Sequence, residues 1–256
     1  MALLAIATGI SVYNSPLPGW GVIQAIVLLG ALGCAIYLFS ARPEKDWYAG
    51  RAVAESIKTI SWRFMIRAEP YTNSDDEDRH NFGLRLKSIV VENKDISGKL
   101  TTHLAGEIIS AEMERIRSLS SSERQTVYRD DRIVDQLKWY ANKAAFNKRK
   151  VTIYFSALMF VLFLGIVFAL LKIMFPTAPF WPTDIFVTVA AGLLSWIQAK
   201  RYQELSVSYA LTAHEISLIR QRASSAMSDK ELSEFVGDAE NAFSREHTQW
   251  IARQDK

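Results

Sequence analysis

Cysteine is nearly missing from this chain, and so is any large excess of charge of one sign. The 256 residues include one cysteine, Cys34. Within a single chain this excludes disulfides and cysteine-built metal sites. Lys and Arg number 30 against 27 Asp and Glu, and the formal net charge is +3. That is too small to point to nucleic acid, and no basic stretch is interleaved with base-stacking aromatics. There is no phosphate-binding loop and no dinucleotide fingerprint. The expectation is a protein that is not an enzyme, with no catalytic residue, cofactor or metal.

The partial motifs do not change this. His214-Glu215 opens like a zinc-protease helix, but Leu218 stands where the second histidine is needed. His247 beside Glu246 has no nucleophile near it in sequence. The acidic run Asp75–Asp78 lacks the spacing and glycine of an EF-hand. It reads as a surface loop within Tyr71–His80.

What the chain does have is long hydrophobic runs. Val151–Leu171 holds no charge and no proline, and Lys148, Arg149 and Lys150 stand directly before it. About 20 such residues cross the hydrocarbon core as a helix. Leu17–Ala41 is a second uncharged run, closed by Arg42 and Lys45. Ile185–Ala199, closed by Lys200 and Arg201, reaches bilayer length with Thr183 and Asp184. It joins the central run through Pro176–Pro182, where Phe180 and Trp181 fit interfacial anchors. Backbone groups in lipid must pair internally, so these runs are helices. Met1–Tyr13 is apolar but short. Two readings stand for it: a shortened first membrane helix, clipped at its start, or an external tail. The Lys and Arg excess beside the runs places Glu44–Lys150 and Lys200–Lys256 in the cytoplasm and the short turns outside.

The polar segments carry helical patterns. Glu44–Ala68 has an apolar stripe of Val53, Ile57, Ile60 and Phe64. Nearly opposite it lies a second stripe of aromatics and alternating charge: Trp47, Arg51, Glu55, Lys58 and Trp62. Further helices are predicted over Arg79–Asn93 and Ile96–Leu119. Ser120 with Glu123, and Ser228 with Glu231, are placed as capping boxes. From Ser122 no Gly or Pro interrupts the pattern before Gly165, which predicts one helix to about Phe175. Its polar half presents Tyr128, Arg132, Trp139, Lys143 and Phe146 on one face. Lys200–Ala223 reads as a helix that leaves the membrane. The last helix carries Leu232, Phe235, Ala239, Phe243 and Trp250 as an apolar stripe with Glu246 inside it. A buried carboxylate needs a cation, and Arg51, Arg132 and Lys143 are the candidates.

Within the membrane runs the polar residues Gln24, Thr152, Ser156, Thr188, Ser195 and Gln198 are all neutral. The lack of a mid-depth ionisable group argues against a coupled pump. Two readings remain, a pore lining of small neutral residues and interhelical glue. Lys172 and Asp184 sit at the external mouth, where an oligomer would turn them into charged rings.

Three segments carry a family resemblance: RPEKDWYAGRAVAESIKTISWRFMIRAEPY (Arg42–Tyr71), YRDDRIVDQLKWYANKAAFNKRK (Tyr128–Lys150) and SREHTQWIARQ (Ser244–Gln254). They resemble the SLATT proteins, two-transmembrane effector domains associated with SMODS nucleotidyltransferases and SLOG sensors. The chain looks like a tandem form, with residues 1–119 and 120–256 each holding one hairpin. The fold expected is all-α, an integral membrane protein of transmembrane hairpins with a cytoplasmic bundle of long helices. The resemblance implies an effector of a bacterial conflict or antiviral defence system in the inner membrane, oligomeric, and pore-forming or membrane-perturbing. It implies activation by a nucleotide second messenger or a separate sensor protein. Trp47, Arg51, Glu55, Lys58, Trp62, Arg132, Trp139, Lys143, Glu246, His247 and Trp250 would then serve assembly and gating. The alternative is a non-conducting, membrane-anchored scaffold that recruits a cytoplasmic partner.

Overall fold

The computed structural model describes residues 2–12, 19–41, 43–93, 107–178 and 180–254, with side chains throughout except at 12, 41–48 and 245–254. Among the described residues there are helices and no strand. In order they are α1 (Ala2–Val12), α2 (Gly19–Ala41), α3 (Pro43–Ile66), α4 (Asp75–Glu92), α5 (Ala111–Ser118) and α6 (Ser121–Val127). A π-helical turn (Tyr128–Ile133), α7 (Val134–Met174), α8 (Thr183–Lys200), α9 (Tyr202–Arg222) and α10 (Asp229–Gln254) follow. Two compact units result: Met1–Ala41 with Tyr140–Thr212, and Arg42–Trp139 with Ala213–Lys256.

The first unit is built from apolar runs. Gly19–Ser40 and Ser121–Met174 are long and apolar enough to cross a membrane. Their apolar side chains point outward: Ile26, Leu29, Leu32, Ile36 and Phe39 on α2, and Phe155, Phe160, Phe163, Ile166 and Ile173 on α7, are all exposed. A soluble core helix would bury such a stripe; these present it to lipid. Thr183–Lys200 does not reach that standard, because Asp184, Ser195, Gln198 and Lys200 dilute its apolar content. It packs on α7 instead. Phe168 and Phe186 stack at 5.3 Å. The backbone of Gly165 faces Phe186 at a distance where a Cβ would make only ordinary contact, 3.5 Å. The apolar opening of the chain is a helix rather than a tail. Ala7 is buried, Gln24 Nε2 donates to its carbonyl (3.3 Å), and Thr188 Oγ1 donates to Thr8 Oγ1 (3.2 Å). Thus α1 lies against both α2 and α8. Its 11 residues at about 1.5 Å each cover roughly half the ~30 Å hydrocarbon layer.

The second unit has a conventional core. Val53, Ile60 and Phe64 of α3 pack with Tyr71 and with Phe82 and Ile89 of α4, and Ile57 is half-buried beside them. Leu232, Phe235, Val236, Ala239 and Phe243 of α10 are buried, and α10 packs on α3 and α6. Both capping boxes form. Ser120 and Glu123 exchange side-chain to backbone bonds, and Ser228 and Glu231 do the same at 2.8 and 3.4 Å.

Three local expectations are corrected, and that of the long helix holds with one refinement. The Asp75–Asp78 run is the first turn of α4, not a loop. Carboxylates suit the positive end of a helix, and Asp78 is buried. Residues 96–119 are not one helix: 94–106 lie outside the described residues, and α5 starts only after the N-cap Ser110. The long helix runs unbroken from Ser121 to Met174, with no gap between Phe146 and Ile153, but it contains the π-turn. Finally, α8 does not continue into α9. Arg201 adopts φ 48°, a left-handed conformation that ends α8 as a C-cap.

Candidate functional site

The two aromatic and charged stripes of the sequence face each other in the second unit. Arg51 lies 4.5 Å from the Trp139 ring centroid. Glu55 stands 4.0 Å from Arg132, and Lys58 lies 3.7 Å from Asp135. Trp62 meets Tyr128 edge-on at 5.8 Å. From Arg51 against Trp139 at one end to Trp62 against Tyr128 at the other, the two helices run antiparallel. The side chain of Trp47 lies outside the described residues. Lys143 is exposed, and its carbonyl accepts from Asn147 Nδ2 at 2.7 Å.

The third side of the layer is α10, and its carboxylate is Glu240. Arg132 and Glu240 are both fully buried. Arg132 Nε and Nη2 donate to the two oxygens of Glu240 at 2.8 and 2.7 Å. This planar fork is the strong form of an ion pair. Tyr128 Oη donates to Glu240 Oε1 (3.0 Å) and Thr59 Oγ1 to Oε2 (2.8 Å), which completes the carboxylate. With its amide oxygen turned toward Arg132 Nη1 (3.0 Å) and Lys58 Nζ (3.3 Å), Gln136 accepts from both. Burial disfavours the Arg132 charge, yet the bonds and attraction to Glu240 outweigh it and raise the guanidinium above its ordinary value. Burial, and then the Glu240 charge, hold the Tyr128 phenol well above its usual range.

The sequence pointed instead to Glu246, whose side chain, like those of His247 and Trp250, lies outside the described residues. Glu240 carried a signal of its own: Leu232, Val236 and Glu240 repeat at a spacing of four, one helical face. The π-turn was not legible. Its extra residue per turn brings Tyr128, Arg132 and Ile133 all to the buried side, and such turns cluster at functional places in helices.

Further arginines close the C-terminal end of α3, where carbonyls lack helical partners. Arg117 Nη1 donates to the Phe64 carbonyl (2.6 Å), Nη2 to Asp78 (2.5 Å) and Nε to Asp75 (3.0 Å). Arg124 Nη1 donates to the Ile66 carbonyl (2.7 Å) and Nη2 to Asp229 (2.6 Å). Burial pulls the Arg124 guanidinium below its ordinary value despite Asp229. Arg63 reaches α10 through the Gly237 carbonyl (3.1 Å) and Asn241 (2.8 Å). Asp75 is partly buried, but its bonds to Arg117 and Arg67 outweigh that and hold it below the usual carboxylate range.

The candidate pore residues fall into two groups. Gln24 and Thr188 are hydrogen-bonded to α1, as interhelical glue. Ser156, Gln198, Lys172 and Asp184 are exposed, as is Ser195, whose hydroxyl bonds back to the Ala191 carbonyl (2.8 Å).

Chemically, the buried layer is a lock. Its central carboxylate, Glu240, is held by the Arg132 guanidinium and by the Tyr128 and Thr59 hydroxyls. No group of His, Cys, Asp and Glu among the described residues is arranged to hold a metal.

Two family descriptions match the chain. "SMODS and SLOG-associating 2TM effector domain 3" covers residues 1–125. "SMODS and SLOG-associating 2TM effector domain 1" covers residues 128–250. No curated protein and no solved structure matches the chain. The change-over at 125–128 falls a few residues after the expected boundary at 119–120, just before the π-turn. Each matched region supplies helices to both compact units. Arg132 and Glu240 belong to the second region and Glu55, Lys58 and Thr59 to the first, so the ion-pair layer ties the two together. The chain is a tandem pair of SLATT domains, transmembrane effector domains of conflict and defence systems, and belongs to that family.

Proposed function

We propose that this protein is a non-enzymatic, homo-oligomeric effector of a bacterial antiviral defence system, seated in the inner membrane, whose hairpins form a pore or perturb the bilayer under control of its cytoplasmic helices. One observation carries the reading. Arg132 of the buried lock and the apolar run of α7 lie on one unbroken helix, Ser121–Met174. A continuous helix offers a path for a shift or rotation along its length, as helix movements at interfaces do in other switches. A nucleotide second messenger or a separate sensor protein would act on the Arg132–Glu240 layer. Ser156, Ser195 and Gln198, exposed in the single chain, would line the opening, with Lys172 and Asp184 at its external mouth.

The test is ion flux from liposomes holding the purified protein. Vesicles with the parent should stay tight and those with Glu240→Gln should leak. If both stay tight, the pore reading fails and the scaffold remains. That second reading has its own support, since Gln24 and Thr188 are already engaged with α1 and so are withdrawn from a lining. Sidedness is checked by cysteine labelling of intact cells. Thr177→Cys should react from outside and Ser225→Cys should not; the reverse pattern overturns the orientation.

A further inference from the structure

The stretch of α7 just before its apolar run and the C-terminal end of α8, which carry the basic flanks, hold a cluster which neither the lock nor the lining uses. Tyr154 of α7 lies between Trp196 of α8 at 6.4 Å and Tyr202 of α9, on which it stacks at 5.6 Å. Cations sit on both sides of this aromatic set. Lys150 Nζ stands 5.4 Å from the Phe146 ring and 6.0 Å from that of Tyr154. Lys200 Nζ stands 4.8 Å from the Trp196 ring. Lys148 and Arg149 are exposed beside them. Arg201 pairs with Glu204. Among the described residues no carboxylate forms an ion pair with Lys148, Arg149, Lys150 or Lys200. Lys150 and Lys200 on one aromatic set, with Lys148 and Arg149 adjoining in the chain, make a local excess of positive charge that an anion relieves. The rings hold two of the ammonium groups in place, so little side-chain freedom is lost on binding.

We propose that this cluster is a headgroup site for anionic phospholipid of the cytoplasmic leaflet. The helices leave the apolar layer at this point, so the phosphate lies level with the ammonium groups while the acyl chains run along the exposed Phe155 and Phe160. The site rests on the membrane reading above and on its orientation. It would couple the second hairpin to the lipid composition around it.

The experiment is a lipid titration of the purified protein in detergent, read by the thermal unfolding midpoint, which rises when a ligand binds the folded state. Phosphatidylglycerol should raise the midpoint and phosphatidylcholine should not, and added salt should weaken the effect. At about 1 kcal/mol per basic residue, Lys150→Gln with Lys200→Gln should weaken phosphatidylglycerol binding roughly thirtyfold. Lys150→Arg with Lys200→Arg should keep it, and Lys230→Gln, exposed on α10, should leave it unchanged. Equal response to both lipids, or a glutamine pair that titrates like the parent, overturns the site. If the glutamine pair does not fold, Lys200→Gln alone should weaken binding roughly fivefold, and no change there overturns the site equally. Flotation separates the two levels. Protein that floats with neither phosphatidylcholine nor phosphatidylglycerol vesicles overturns the membrane reading itself. Protein that floats with both and prefers neither overturns only the headgroup site.

Discussion

Glu240→Ala should destabilise the protein by about 3–5 kcal/mol, because it leaves the Arg132 charge buried with no carboxylate to meet it. For a chain of this size that lowers the unfolding midpoint by on the order of 10 °C. Removing one partner of a buried pair costs far more than removing both. Arg132→Met with Glu240→Leu fills the same volume with apolar groups and should recover most of the loss. What the double variant cannot restore is the polar link from Thr59, which loses the Glu240 carboxylate, whereas Gln136 loses Arg132 but keeps Lys58. It should therefore fold while the link between the two domains is weakened. Thermal unfolding in detergent measures all three proteins. A Glu240→Ala protein that melts with the parent would show that the pair is solvated in solution and that the lock does not exist.

The second large effect is expected at Arg117. This side chain is 1% exposed, and its loss strands a fully buried Asp78 together with the Phe64 carbonyl at the end of α3. Arg117→Ala should cost about 3–5 kcal/mol for the broken pair, with a further contribution from the orphaned carbonyl. Asp78→Ala should cost less, since Asp75 still faces the guanidinium at 3.0 Å. Asp75→Ala should cost least, because that carboxylate is 44% exposed and exposed pairs contribute under about 1 kcal/mol. The order Arg117, Asp78, Asp75 is the content of the prediction. Urea unfolding of the three variants reads it, and an Asp75→Ala protein as weak as Arg117→Ala would refute it.

The sequence by itself determined what short-range chemistry controls. Unbroken apolar runs leave backbone no choice but helix in lipid, which decided α2 and the apolar run of α7, and the absence of Gly and Pro carried that helix back to Ser121. Capping boxes at Ser120 and Ser228 need only a three-residue spacing, and both formed. The apolar stripe Val53, Ile57, Ile60, Phe64 and the opposed charged stripe are consequences of the 100° helical period, and both took the faces expected. The SLATT resemblance rested on contiguous segments, which no fold is needed to see.

What the tertiary structure decided was which charges are buried and with whom. Asp75–Asp78 reads as a solvated loop, because nothing local says that Arg117, about forty residues on, will close over it. Glu246 and Glu240 both lie among apolar residues on one helix, and the period alone ranks them poorly. The choice of Glu240 was made by Arg132, Tyr128 and Thr59, which reach it from two other elements. The π-turn and the left-handed Arg201 are backbone departures that cost energy locally. Side-chain partners far along the chain hold the first, and residue propensity does not encode them. Burial of charge is a property of the assembled helices, since desolvation depends on every element that excludes water, and no window of sequence contains them all.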